Sequence, residues 1–167
     1  MNKAVFIDRD GVVNSDQGHY YIYRVEDFIF NPDIEASLSL LKEAGYKTIL
    51  ITNQGGVAKG EYNTEAVEKL HDFMQFHLKG QNAEFDAIYY CPHHDSVSSC
   101  ECRKPKPGMI IKAIQELNID PDQSFLIGDS KRDIEAGKAA GLKACFKVKK
   151  NTSIFKEANE IISINSQ

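Results

Sequence analysis

The sequence predicts an α/β fold, a doubly wound (Rossmann-like) parallel sheet flanked by helices. Five short apolar runs alternate with segments of helical periodicity. This alternation implies parallel strands joined by right-handed crossovers. The chain has 167 residues, of which 42% are hydrophobic and 26% are charged. These values are typical of a globular protein, and we expect a single domain spanning residues 1–167.

Each element has its own signal. The predicted strands are apolar runs of four to six residues, which suit strands buried on both faces. In the first helix, Ile34 and Leu38 recur at helical spacing and Gly45 marks the end. Thr64 and Ser130 are the expected N-caps of the second and fourth helices. In chain order the elements are strand 3–8, helix 33–44, strand 47–52, helix 64–78, strand 86–90, helix 108–117, strand 124–128, helix 131–140, strand 143–148 and helix 154–162, followed by a frayed end at 163–167.

The charge and hydropathy of the chain exclude several classes of partner. The net charge is −4, and the longest basic run, 147–150, is interrupted by a valine, whereas nucleic-acid binding needs clustered Lys and Arg. No apolar run approaches the roughly 20 residues that cross a bilayer. The first residues also lack the apolar core of a signal peptide. We expect a cytoplasmic monomer that binds a small anionic molecule, but neither nucleic acid nor a membrane.

Polar residues follow several of the predicted strands. Ligands of an open α/β sheet bind outside the carboxyl ends of its strands, near the point where strand order reverses. Asp8 and Asp10 project to the same side if the backbone stays extended. With Asp129, they make an oxygen-only ligand set that suits Mg²⁺. The residues at the strand ends are Asp8, Asp10, Thr52, Asn53 and Asp129, and Arg103 and Lys104 lie in the loop before the third helix.

This set indicates phosphoryl transfer. We expect Asp8 to be the nucleophile that forms an aspartyl-phosphate, with Mg²⁺ reducing the repulsion between carboxylate and phosphate. Asp10 is expected to protonate the leaving alcohol and then to activate water. Thr52 and Lys104 would stabilise the phosphoryl oxygens. Asp133 is interpreted as a first-turn helix carboxylate and is left out of the metal set.

Three of the four cysteines lie in one loop together with two histidines. Structural disulfides are disfavoured in a reducing cytoplasm, so this cluster is interpreted as a metal site. Three thiolates and one imidazole suit a structural, tetrahedral Zn²⁺ site. His94 is the alternative ligand, and Cys145 is expected in the core. The predicted zinc ligands are Cys91, His93, Cys100 and Cys102.

These motifs occur in an order that is known from one superfamily. The chain resembles the haloacid dehalogenase superfamily, whose phosphatases carry four such motifs. They correspond to FIDRDG with Asp8 and Asp10, ITNQGG with Thr52, RKPKPG with Lys104 and IGDSKRD with Asp129. The resemblance implies a Mg²⁺-dependent phosphatase. The second aspartate argues against the dehalogenase branch, which needs no acid for the leaving group, but does not separate phosphatases from phosphomutases.

The intervals between the motifs leave no room for a separate cap domain. A capless member with a Cys-His loop resembles the heptose bisphosphate phosphatases and the histidinol-phosphate phosphatases. The first resemblance implies removal of the C7 phosphate from D-glycero-D-manno-heptose 1,7-bisphosphate in nucleotide-heptose synthesis. It also implies substrate contacts from Asp16, Gln17, Gly18, His19, Tyr20, Thr52, Asn53, Gln54, Gly55, Arg103 and Lys104.

Several alternatives stay open at this point. The short insert between His93 and Cys100 is typical of histidinol-phosphate phosphatases. A polynucleotide 3′-phosphatase would need a basic groove, which the composition disfavours. A zinc-stapled binding module without catalysis is disfavoured because every catalytic position holds a competent residue. Tyr20, Tyr21 and Tyr23 are as compatible with covering the edge of the core as with stacking on a sugar.

Overall fold

The computed structural model describes residues 1–166 and confirms the predicted α/β fold. The strands are β1 (Ala4–Ile7), β2 (Lys47–Asn53), β3 (Ala87–Cys91), β4 (Phe125–Gly128) and β5 (Ala144–Lys147). The helices are α1 (Ile34–Glu43), α2 (Thr64–Lys79), α3 (Gly108–Glu116), α4 (Lys131–Ala139) and α5 (Phe155–Asn165), with short 3₁₀ turns at Val25–Asp27 and Pro121–Gln123. All strands are parallel, in the order β3-β2-β1-β4-β5.

The sheet separates two apolar cores because successive side chains of a strand point to opposite faces. In β1, Val5 and Ile7 pack in the core that contains α1, α2 and α5. Ala4 and Phe6 pack on the other face, with α3 and α4. The central strands are therefore buried on both sides, as predicted. β3 and β5 are largely only half-buried, which differs from the prediction because each forms an edge of the sheet.

The helix starts are partly those that the sequence predicts. Ser130 is the N-cap of α4, and its hydroxyl accepts a hydrogen bond from the Asp133 amide at 3.3 Å. The prediction that Thr64 caps α2 is wrong. Thr64 is the first helical residue, and Asn63 accepts from the Ala66 amide through its side chain at 2.9 Å. Asn63 holds the extended backbone of a cap, which leaves Thr64 inside the helix.

The chain end is more ordered than predicted. α5 continues to Asn165, where we expected fraying. The Asn165 amide donates to the Tyr46 hydroxyl at 2.8 Å, which ties the last turn to the core. Gln167, the last residue of the predicted frayed end, lies outside the described residues.

The strand order brings the polar strand ends together. β1 lies between β2 and β4, so the carboxyl ends of these three strands meet at one edge of the sheet. Only the 3₁₀ turn Val25–Asp27 lies between β1 and α1, and only α2 lies between β2 and β3. Neither interval holds a cap domain, as predicted. Within residues 1–166, no helix is both long and apolar enough to cross a membrane.

Candidate active site

Three carboxylates meet at the carboxyl edge of the sheet. Asp8 follows β1, Asp129 follows β4, and Asp133 lies in the first turn of α4. Each offers an oxygen within 4.8 Å of the others. With Lys104 beside them, the group carries an excess of two negative charges when all four side chains are ionised. Such an excess in a buried place requires a further cation or bound protons.

Lys104 is the cation at the centre of this group. Its side chain is only 4% exposed. The ammonium donates to Asp133 Oδ1 at 2.7 Å, to Asp8 Oδ1 at 2.8 Å and to the Ile51 carbonyl at 3.0 Å. Burial alone would lower the pKa of Lys104, but the Asp8 and Asp133 carboxylates raise it above its ordinary value. The amine therefore stays charged and holds Asp8 from one side.

The three carboxylates differ in their electrostatics. Burial raises the pKa of Asp8 well above its ordinary value; the Lys104 charge opposes this shift and Asp133 adds to it. Burial also raises the pKa of Asp129. Burial alone would likewise raise the pKa of Asp133, but the charge and hydrogen bond of Lys104 lower it. Lys104 thus neutralises Asp133 most completely, and the unbalanced negative charge resides on Asp8 and Asp129.

The residues present fit a divalent cation at Asp8 and Asp129. Asp129 Oδ2 is buried and has no hydrogen-bond partner among residues 1–166, and a buried carboxylate oxygen left in this way is costly unless a cation binds it. Gly11 lies so close that any side chain there would collide with this oxygen. Carboxylate oxygens are the ligands that Mg²⁺ prefers. Asp133 is engaged by Lys104 and by Ser130. It also lies within 4.8 Å of the other two carboxylates, so its exclusion from the metal set stays a prediction.

Asp10 is not one of the three carboxylates that lie within 4.8 Å of one another, and its share in the metal site stays a prediction. Its Oδ1 accepts from Arg9 Nε and from Asn14 Nδ2, both at 3.0 Å. Its Oδ2 accepts from Arg9 Nη2 at 3.1 Å and from Gln54 Nε2 at 3.4 Å. These donors turn the carboxylate toward the cavity rather than toward Asp129. The position suits proton transfer rather than metal binding.

Two residues predicted to contact the substrate have their amide groups engaged within the protein. Asn53 accepts from the Lys104 amide at 3.0 Å and donates to the Lys104 carbonyl at 3.1 Å, so it fixes the main chain of the lysine. Gln54, only 2% exposed, donates to Thr52 Oγ1 at 2.8 Å and accepts from the Tyr62 hydroxyl at 2.6 Å. Because Thr52 Oγ1 accepts from Gln54, its own proton is free to donate into the cavity.

A second cavity continues from the carboxylate site. The two cavities share Asp10, Asp16, Asn53, Arg132 and Lys150 in their walls. Gln17 and Gly18, predicted to contact the substrate, line neither cavity. The second cavity is otherwise lined by His19, Tyr20, Tyr21, Gln54, Gly55, Tyr62, His94 and Arg103.

Three cationic side chains make the second cavity suitable for an anion, and the Nε of one of them, Arg103, lies 3.8 Å from an Asp95 oxygen. Arg103 Nη1 donates to the His93 carbonyl at 3.2 Å, while its buried Nε has no hydrogen-bond partner within residues 1–166. Lys150, which we did not predict, lies 2.6 Å from Asp16. Arg132, also not predicted, lines both cavities. Lys150 follows the last strand, so the rule that ligands bind at strand ends would have found it; Arg132 has no comparable signal.

The predicted zinc ligands form a second cluster. Cys91, His93, Cys100 and Cys102 each offer an atom within 4.8 Å of the others, and none of the thiols is in a disulfide. His93 Nδ1 lies 3.2 Å from the Cys102 sulfur and 3.4 Å from the Cys91 sulfur. His94 instead lines the second cavity, so the structure favours His93 over this alternative. Cys145 is half-buried and packs on the core around α3 and α4, as predicted.

Comparisons with known proteins show which family the chain resembles. The family model described as haloacid dehalogenase-like hydrolase matches residues 2–141. A D-glycero-β-D-manno-heptose-1,7-bisphosphate 7-phosphatase from Pasteurella multocida (strain Pm70) is 41% identical, with 97% of this chain and 92% of the relative covered. The protein of the same name from Haemophilus influenzae (strain ATCC 51907 / DSM 11121 / KW20 / Rd) is 43% identical, with 86% of this chain and 79% of the relative covered.

A solved structure shows the same fold. The D,D-heptose 1,7-bisphosphate phosphatase from B. bronchiseptica, complexed with magnesium and phosphate, superposes with a TM-score of 0.82 at 32% identity. The match covers 95% of this chain and 86% of that one. The family match extends over far more than half of the chain and includes all four predicted motifs. The chain therefore belongs to the family of haloacid dehalogenase-like hydrolases.

Proposed function

We propose that the protein is a Mg²⁺-dependent phosphatase that removes the C7 phosphate of a heptose 1,7-bisphosphate. The observation that carries this proposal is the buried group of Asp8, Asp129, Asp133 and Lys104, opening into a second cavity with cationic walls. A bisphosphate needs two anion sites, and the two connected cavities supply them. The similarity to relatives with this name supports the substrate class.

The side chains suit a two-step transfer. One Asp8 oxygen is held by Lys104, and the other attacks phosphorus while the bond between phosphorus and the leaving oxygen breaks. Asp10 gives its proton to that oxygen, and the alcohol departs. Asp10 then takes a proton from water, which attacks the aspartyl-phosphate and releases phosphate. Mg²⁺ bound at Asp8 and Asp129 would supply charge neutralisation, and Thr52 and Lys104 would donate to the phosphoryl oxygens.

We also propose Zn²⁺ at Cys91, His93, Cys100 and Cys102. The ligand atoms lie 2.9–3.7 Å apart where they contact each other, so all four are close enough to bind one ion. The site is structural, because no position is left for substrate. It fixes the loop that presents Arg103 and Lys104. The free thiols support a cytoplasmic location. The single five-stranded sheet supports one domain, and a monomer is part of the same proposal.

Phosphate release from two substrates tests this function. With Mg²⁺, we expect the kcat/KM for heptose 1,7-bisphosphate to exceed that for histidinol phosphate by at least about 100-fold, since losing a charged contact costs roughly 3 kcal/mol. EDTA should abolish turnover. The Asp8→Asn variant is the matched control and should fold but release no phosphate. Higher efficiency on histidinol phosphate would overturn the substrate, and turnover by Asp8→Asn would overturn the nucleophile.

A further inference from the structure

We propose that Arg9 and His71 act as positioning residues that fix the Asp10 carboxylate for proton transfer. Neither residue faces the substrate, and neither belongs to the metal or phosphoryl sites. The inference rests on the proposed function of Asp10 as acid and base. It adds two residues to the reaction, one of them from a helix 62 positions away along the chain.

The contacts of Arg9 fix the position of its guanidinium. It is the largest fully buried side chain of the described protein, with no exposed surface. Its Nε and Nη2 face the two oxygens of Asp10 at 3.0 and 3.1 Å. Nη2 also donates to the Ile22 carbonyl at 2.6 Å. A bidentate arginine restricts the plane of a carboxylate as well as its distance.

His71 is the hydrogen-bond partner of the remaining Arg9 nitrogen, Nη1. The ring is 4% exposed and lies on α2, with Nε2 at 3.1 Å from Arg9 Nη1. Burial, together with the Arg9 charge, lowers the pKa of His71 to about 3. The ring is therefore neutral, and Nε2 accepts a hydrogen bond from Arg9 Nη1. Without this acceptor a buried guanidinium N–H would lose its partner, which is costly.

The Asp10 carboxylate is open only toward the cavity. Its side chain is 31% exposed, whereas that of Arg9 is completely buried. Asn14 and Gln54 add the hydrogen bonds at the remaining edges. A buried ion pair contributes little to stability compared with an apolar pair of the same volume. The consequence of the Arg9–Asp10 ion pair is geometric. The part of the Asp10 carboxylate that protein donors leave uncovered faces the cavity, so Asp10 exchanges its proton with a group bound there.

A purely structural anchor and a positioning residue predict different kinetics. An anchor that only holds the loop should affect all substrates alike. A positioning residue for Asp10 should matter most when the leaving group needs a proton, as an alkoxide does, and least for 4-nitrophenolate, which leaves unprotonated. General acids contribute about 10²–10⁴-fold. The ratio of kcat/KM for the heptose bisphosphate to that for 4-nitrophenyl phosphate therefore distinguishes a structural anchor from a positioning residue.

The experiment compares His71→Leu with His71→Gln, because glutamine can place an acceptor near Nε2 and leucine cannot. We expect His71→Leu to lower kcat/KM on the heptose bisphosphate by about 10-fold or more and on 4-nitrophenyl phosphate by less than about 3-fold. In His71→Gln, kcat/KM on the heptose bisphosphate should return most of the way to the wild-type value. Arg9→Lys should lower kcat/KM on the heptose bisphosphate further than His71→Leu does. Asp10→Asn, which removes the acid itself, gives the largest loss expected.

Thermal stabilisation by beryllium fluoride with Mg²⁺ checks that Asp8 remains competent in each variant. Equal loss on both substrates, or no loss in His71→Leu and Arg9→Lys, would overturn the proposal. Failure of the wild type to hydrolyse either ester would instead overturn the proposed function, so the two results are distinguishable.

Discussion

The buried neutral histidine predicts a specific dependence of stability on pH. His71 has an ordinary pKa of 6.5, and burial beside Arg9 lowers it to about 3 in the folded protein. Between these values the unfolded chain binds a proton that the folded protein does not. The free energy of unfolding therefore rises with pH across this window. The contribution of His71 is complete above the unfolded pKa and is lost as the pH falls.

The magnitude follows from these two pKa values. Between about pH 7 and about pH 5, proton linkage at His71 removes about 2 kcal/mol from the free energy of unfolding. This figure hardly changes for any folded pKa below about 4, because at about pH 5 the folded ring is then still neutral. The loss is a large fraction of the 5–15 kcal/mol that is typical of a domain.

Urea unfolding, followed by circular dichroism at a fixed metal concentration, measures the effect. His71→Gln removes the titrating ring but keeps an acceptor for Arg9. We expect the wild type to lose about 2 kcal/mol more than this variant between the two pH values. Zinc release at low pH affects both proteins and cancels in the difference. His77→Gln, an exposed histidine further along α2, is the control and should follow the wild type. Parallel profiles of wild type and His71→Gln would refute the reasoning.

Three further predictions concern the active site and the zinc cluster. Asn53→Ala removes two hydrogen bonds to the Lys104 main chain and should cost about 2 kcal/mol in urea unfolding, with a fall in kcat/KM; unchanged stability would contradict this role. Cys102→Ser should lower the zinc content in atomic absorption and raise KM more than it lowers kcat. An unchanged KM in the zinc-depleted variant would show that zinc does not fix the loop. Lys104→Met should abolish turnover and enlarge the thermal shift caused by Mg²⁺, because three carboxylates lose their cation; a smaller shift would contradict the charge balance.

Most of the candidate active-site residues were predictable because they lie at or next to the strand ends. Asp8 and Asp129 directly follow strands, and Thr52 is the next-to-last residue of β2. Parallel strands bring such residues to one edge. The clustering of Cys91, His93, Cys100 and Cys102 was also predictable, from residue types within a short loop. These predictions needed only the correct strands and their common direction, not the contacts of any side chain.

The corrections concern side chains that a neighbouring residue or a distant element uses. Asn53 and Gln54 stand in the expected places, but the Lys104 main chain and the Thr52 hydroxyl occupy their amides. Asp10 is two positions from Asp8, yet Arg9 turns its carboxylate away from the cluster. A position at a strand end predicts where a residue lies, but it does not predict which hydrogen-bond partners its side chain has.

The sequence by itself determined the fold class, the alternation of elements and the types of ligand near the carboxyl ends of the strands. Those properties depend on local periodicity and on the residues of short motifs. Only the tertiary structure decided that Lys104 reaches Asp8 across 96 positions and that His71 reaches Arg9 across 62. The reason is physical: a buried charge takes whichever partners the packed helices and loops bring within about 3 Å, and that packing is set by the whole chain.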